Sequence, residues 1–163
     1  GLGDHPTILF GAGPPEVAPH ELQYVEHLCE AIDRGTLPSD VRILLRRHPV
    51  DRPERWERFR DHPAVVFDDP GQLGSTPGRP GQVGLGRDQI VDLCSALAHT
   101  EVHVSVSSTM TLDGAFFGKP QIGPAYGDEA VIMGQERWPS DGDLQPGGVG
   151  RVAHKLVGGL QGK

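Results

Sequence analysis

Short apolar runs alternate with helical stripes along most of this chain, and that alternation restricts its fold more than any single motif does. Thr7-Ile8-Leu9-Phe10 is an apolar run that stops at Gly11-Ala12-Gly13, which predicts a strand. Residues His20 to Arg34 carry Leu22, Val25, Leu28, Cys29 and Ile32 at helical spacing, with Gly35 as the stop. Val41 to Leu45 reads as a second strand, rich in branched side chains. Pro53 to Arg60 opens a short helix with Pro at its first position and sets Trp56 and Phe59 on one side. Ala64-Val65-Val66-Phe67 is a third strand. Asp88 to Ala98 is a helix whose apolar stripe is Ile90, Val91, Leu93, Cys94 and Leu97. Val102 to Val106 is a fourth strand, Met110 to Phe117 a helix closed by Gly118, and Pro120 to Gly123 a short fifth strand. Val149 to Leu160 has the pattern of a last amphipathic helix, after an irregular polar stretch from Gly134 to Gly147.

A strand–helix order repeated four or five times predicts an α/β fold. The expected architecture is a Rossmann-like parallel sheet of about five to six strands with helices on both faces. The 163 residues suit one domain with its own core. Gly (23) and Pro (15) together approach a quarter of the chain, so loops are plentiful. They concentrate in residues 70–87, PGQLGSTPGRPGQVGLGR, which read as a loop or a disordered insertion rather than an element.

In parallel sheets of this type ligands bind beyond the carboxyl ends of the strands, so the loops there are where chemistry is expected. The loop after the fourth strand carries Ser107, Ser108 and Thr109 where a helix begins. Unpaired backbone N–H groups and small hydroxyls at such a place suit a phosphate. They equally suit plain N-capping. Asp113 lies one turn further on, where a carboxylate reaches a ribose hydroxyl pair, and it sits too deep for an ordinary capping box. After the second strand comes Arg46-Arg47-His48-Pro49, with His48 held extended by Pro49. Arg46 and His48 suit a phosphate contact or general acid–base work, or else a solvated basic loop. Gly11-Ala12-Gly13-Pro14-Pro15-Glu16 opens like a dinucleotide fingerprint but lacks its third glycine. Gly11 and Gly13 therefore allow close backbone approach to a ligand without indicating a nicotinamide enzyme.

Other patterns narrow the field. There is no P-loop sequence and no GxSxG elbow. The eight histidines are scattered, and His99 and His103 straddle a helix end and a strand, so no metal site is expected. Asp68-Asp69 fits a turn better than a cation. A net charge of −7 disfavours general nucleic-acid binding. Cys29 and Cys94 form no CxxC pair and are expected to be reduced core residues. No bilayer-spanning run and no secretory leader is read, so a cytoplasmic setting is expected.

Taken in order, Leu44-Leu45-Arg46-Arg47-His48-Pro49, Asp88 opening a helix, Val102-His103-Val104-Ser105-Val106-Ser107-Ser108-Thr109, Asp113-Gly114-Ala115 and Gly118-Lys119-Pro120-Gln121-Ile122 resemble the C-terminal half of GT-B glycosyltransferases. The likeness is to bacterial surface and capsular polysaccharide transferases and to CDP-glycerol glycerophosphotransferases, and it covers roughly residues 7–125. It implies a domain that holds a nucleotide-activated sugar or alcohol for transfer, with no tightly bound cofactor or metal. Ser107, Ser108 and Thr109 would contact the diphosphate, Asp113 the ribose, and Arg46 and His48 the phosphates or leaving group. It also implies that the chain is a fragment of a two-domain protein, inactive alone. The acceptor domain would be N-terminal, and the full-length protein would provide any peripheral membrane association. Two departures stand out: Asp113 where many relatives carry Glu, and Gly114 where Ala would make a firmer helix. A UDP-N-acetylglucosamine 2-epimerase-like enzyme and a non-catalytic nucleotide-binding module are the other functions compatible with this scaffold.

Overall fold

The computed structural model describes residues 3–70, 74–75, 83–106 and 108–124. Ser107, most of the Gly/Pro stretch, the polar segment 134–147 and the amphipathic pattern at 149–160 lie outside the described residues. The elements are β1 (Thr7–Gly11), α1 (Leu22–Asp33), β2 (Arg42–Arg46), a 3-10 helix (Pro53–Phe59), β3 (Val65–Asp68), β4 (Gly74–Ser75), β5 (Val83–Gly84), α2 (Arg87–His99), β6 (Val102–Ser105), α3 (Met110–Phe116) and β7 (Gln121–Ile122).

Five strands form one parallel sheet in the order β3-β2-β1-β6-β7, the α/β architecture expected. β1 is central and pairs on both sides, with Gly11 opposite Arg46 of β2 and Ser105 of β6. All five of its residues are buried, which is why it reads as a continuous apolar run instead of an alternating one. Burial loosens at the edges, where β3 is buried at Val65 and half-buried beyond it and β7 is half-buried throughout.

The two faces of the sheet bury different helices. On one, Ile8, Phe10, Ile43, Leu45, Val102 and Val104 pack with Val25, Leu28 and Ile32 of α1 and with Trp56 and Phe59 of the 3-10 helix. Trp56 is completely buried, its ring 6.3 Å from Phe10 and 6.2 Å from Phe59. On the other face a smaller cluster, Leu9, Leu44 and Leu97, is flanked by Val66, Leu93, Ala96 and Met110.

Three expectations need correction. α2 meets the sheet through Leu93, Ala96 and Leu97 only, while Ile90, Val91 and Cys94 are exposed. At about 100° per residue, Val91 and Cys94 point well away from the arc centred on Leu93, and Ile90 sits in the first turn. Cys94 is thus no core residue, whereas Cys29 is buried, and burial pushes its thiol up to about 12. The helix over Pro53–Phe59 takes the tighter 3-10 form. The Gly/Pro stretch contains an element after all. Gly74-Ser75 and Val83-Gly84 pair antiparallel, an interaction of backbone groups that leaves no side-chain pattern to read.

Gly114 is not a weak point of α3. A Cβ there would lie 2.2 Å from His103 Nδ1 and 2.3 Å from Gln121 Nε2, so only glycine lets α3 sit this close to β6 and β7. Beneath it runs a complete hydrogen-bond chain. Gln121 Nε2 meets His103 Nδ1 at 3.0 Å, His103 Nε2 meets Thr100 Oγ1 at 2.9 Å, and Thr100 Oγ1 donates to the Ala96 carbonyl at 2.7 Å. With the Thr hydrogen spent on Ala96, His103 must donate from Nε2 and accept at Nδ1, a neutral ring. Burial, the larger cause, and nearby Lys119 hold its pKa below the usual histidine value.

Candidate functional site

The sheet order reverses at β1: β2 and β3 lie to one side, β6 and β7 to the other. In open α/β sheets the crevice at such a reversal, beyond the strands' carboxyl ends, is where ligands bind. Here that rule points to the place where Gly11–Gly13 at the end of β1 and Ser105, Val106, Ser108 and Thr109 beyond β6 come together.

These two segments touch. A Cβ on Gly11 would lie 2.8 Å from Met110 Sδ, so the glycine makes room for the first residue of α3. One on Gly13 would lie 3.5 Å from the Val106 carbonyl oxygen. The amides of the turn are already engaged: Ala12 N–H donates to the Arg46 carbonyl and Gly13 N–H to Glu21 Oε2, both at 2.9 Å. Gly11 thus lies directly against the Met110 side chain, while Gly13 sits at ordinary contact distance from the Val106 backbone.

Across the crevice, Ser108 Oγ accepts the Met110 N–H at 3.2 Å and so caps α3, while Thr109, the residue preceding the helix, makes no side-chain cap bond and is exposed. Ser105 Oγ and Thr111 Oγ1 hydrogen-bond at 2.9 Å and tie the strand end to the helix. Asp113 is half-buried, and among the described residues its carboxylate has no hydrogen-bond or ion-pair partner.

The basic segment after β2 divides into two parts. Arg46 is buried and forms an ion pair with Asp68, its register partner on β3. Arg47 pairs with Asp69 at 2.7 Å and also donates to the Asp51 carbonyl. The two acids that looked like a turn or a cation site are thus the counter-charges of the two arginines. His48 opens a turn closed by Asp51 N–H donating to its carbonyl at 2.9 Å. Its Nδ1 accepts the Val50 N–H at 3.3 Å, which leaves the proton of the neutral ring on Nε2. Burial lowers its pKa, opposed by Asp51 and by Glu16 from the β1 loop. At neutral pH His48 thus offers one N–H donor and no net charge.

Sequence reasoning missed the residues that join these loops. Glu21, immediately before α1, is fully buried. Its Oε2 accepts the Gly13 N–H and its Oε1 accepts Arg55 Nη1 at 2.9 Å. The same Nη1 donates to Asp51 Oδ2 at 2.9 Å, and Arg55 Nη2 donates to the Ala18 and Pro19 carbonyls at 2.8 and 3.0 Å. Asp51 Oδ2 also accepts Trp56 Nε1 at 2.8 Å. Two buried carboxylates share one guanidinium, so the cluster carries an excess negative charge in a region of low dielectric. Burial, helped by Asp51, raises Glu21 to about 7 despite the Gly13 and Arg55 bonds. The only signal in the sequence was an acid at the start of an amphipathic helix, where solvated acids are ordinary.

Among the described residues no group of three or more His, Cys, Asp or Glu side chains is placed to hold a metal ion, and no helix is long and apolar enough to cross a membrane. No family model matches the chain, and no curated protein matches it.

Proposed function

We propose that this chain is the donor-binding domain of a glycosyltransferase-like enzyme, holding the diphosphate and ribose of a nucleotide-activated sugar or alcohol in the crevice between β1 and β6. The observation that carries this reading is the strand order, which brings two loops together at the reversal beside β1. A glycine-bearing loop and a hydroxyl-bearing segment abut there, and Asp113 on the helix that follows has no partner among the described residues. Ser107, Ser108 and Thr109 would supply hydroxyl and amide donors to the diphosphate, and Asp113 would accept from the ribose hydroxyls. His48 would donate its Nε2 hydrogen where charge develops on the departing phosphate, a contribution that depends on its being fixed in advance. Arg46 would have to exchange Asp68 for the phosphates to contact them, since Asp68 holds its guanidinium. In this reading the acceptor binds on a second, N-terminal domain, the enzyme serves polysaccharide biosynthesis in the cytoplasm, and no tightly bound cofactor or metal takes part. Peripheral membrane association belongs to the full-length protein.

One observation favours a second reading, a nucleotide-binding module without catalysis. Arg46, Arg47 and Arg55 are all matched by carboxylates, which leaves the β2 side of the crevice with little net positive charge. A 2-epimerase-like enzyme is less well supported, because Glu21 and Asp51 are committed to Arg55.

The test is a thermal-shift series with UDP, CDP, GDP and their sugar or alcohol conjugates, with NAD and ATP as controls. Stabilisation by one of the diphosphates and its conjugate, weakened by Asp113→Ala by about 1–3 kcal/mol of binding energy, is the expected result. No shift with any of them in a folded sample would sink both nucleotide readings.

A further inference from the structure

We propose that Glu21, Asp51 and Arg55 are positioning residues that clamp the loop after β1 to the loop after β2, and so set where the His48 ring stands relative to the Gly11–Gly13 turn. The importance of that setting for a nucleotide rests on the donor-domain reading, but the clamp itself does not.

The connections run without a break. Gly13 N–H binds Glu21, Glu21 binds Arg55, Arg55 binds Asp51, and Asp51 N–H closes the turn that begins at the His48 carbonyl. From Arg55 the guanidinium also reaches back to the Ala18 and Pro19 carbonyls at the end of the β1 loop, so one side chain grips both loops. It is itself fixed. Its guanidinium carbon lies 5.1 Å from the centre of the Trp56 ring, and Trp56 is locked in the core and bonded to Asp51. A second strut on the His48 side comes from Arg47, which donates to the Asp51 carbonyl and at 3.4 Å to the His48 carbonyl.

A merely stabilising role would not require this geometry. The buried Glu21–Arg55–Asp51 cluster as a whole could be replaced by well-packed apolar side chains of like volume with little loss, as for many buried ionic clusters. What such a replacement would lose is the specific link between two loops that share no direct backbone hydrogen bond beyond Ala12 to Arg46. The charged groups acting on His48 are Asp51, Glu16 and Arg47, so a change at Arg55 reaches the ring through the turn rather than by its own field.

The test uses the whole chain and follows two resonances by NMR, the Gly13 amide and the His48 ring. In Arg55→Met both should move together, and in Arg55→Lys, which keeps the charge and loses the fork, both should return part of the way. Whichever of UDP, CDP or GDP binds the parent should bind Arg55→Met about tenfold more weakly, with Arg55→Lys between the two. Should Arg55→Met fail to fold, Arg55→Lys and Glu21→Gln carry the same comparison, with smaller joint movements expected. Movement of the Gly13 signal with His48 unmoved, or of neither, would overturn the clamp. Joint movement in a chain that binds none of the three nucleotides would keep the clamp and remove the donor-domain reading.

Discussion

Single side chains in this fold are set by close approach more than by propensity. Gly114 shows it best. By helix preference alone, Gly114→Ala should stabilise α3 by up to about 1 kcal/mol. The added methyl would instead meet His103 and Gln121 well inside contact distance and break the bond between them. Overpacking of that kind costs about 1–3 kcal/mol, so the variant should be less stable than the parent by urea denaturation. A more stable variant would show that α3 can lift from β6 without loss. At this scale the sequence is least legible. The contact that makes Gly114 necessary involves His103 and Gln121, which neighbour it only once β6 and β7 pair. Glu21 is the same case: its partners Gly13 and Arg55 are brought to it by two different strands.

Elements, by contrast, were largely readable, and for a physical reason. A parallel strand buried on both faces is a continuous apolar run, as Ile8-Leu9-Phe10 and Ile43-Leu44-Leu45 are, while β6 is legible from Val102, Val104 and Val106 alternating with the buried His103 and Ser105. The same signal fails where a helix is only partly covered, as in α2, and where pairing is all backbone, as in β4 and β5. It is also silent on how neighbouring strands share charge. The pairing of β2 with β3 brings Arg46 to Asp68 and buries the cation. Removing one partner of such a pair leaves a buried charge unmatched, so Asp68→Asn should cost about 2 kcal/mol, less than the value for a fully enclosed pair because Asp68 keeps some exposure. The freed Arg46 should then take an anion. Inorganic phosphate is expected to restore stability to Asp68→Asn more than to the parent, and an equal effect on both would mean that the β3 edge had simply rearranged.

For the whole molecule, one buried acid and two histidines of lowered pKa, at separate places in the fold, shape how stability depends on pH. Glu21 is raised from 4.5 in the unfolded chain to about 7. Between those values the folded state holds the extra proton, so Glu21's contribution is complete below 4.5 and is lost as pH rises through about 7. His48 and His103 act in the opposite sense. Their folded values are lowered, so their contribution is present above the ordinary histidine value of 6.5 and is lost as pH falls below it. Comparing the parent with Glu21→Gln isolates the first effect. From pH 5.5 to pH 8 the parent should lose about 2 kcal/mol relative to the variant. A difference that stays constant over that range would place the Glu21 carboxyl back among ordinary acids.

The central position of β1 has a consequence in time as well as in space. Its pairing with β2, and that of β2 with β3, use chain that is close at hand, whereas its other edge waits for β6: Thr7 N–H bonds the Glu101 carboxylate across 94 residues. Closing so long a loop is the slow, entropically costly step in assembling such a sheet. From β1 onward, the chain therefore supplies every residue of β1, β2, β3, α1 and the Glu21–Arg55–Asp51 cluster before it supplies β6. Among the described elements, the segments that meet β1 on its other edge, β6 and α3, are thus the later ones to be supplied.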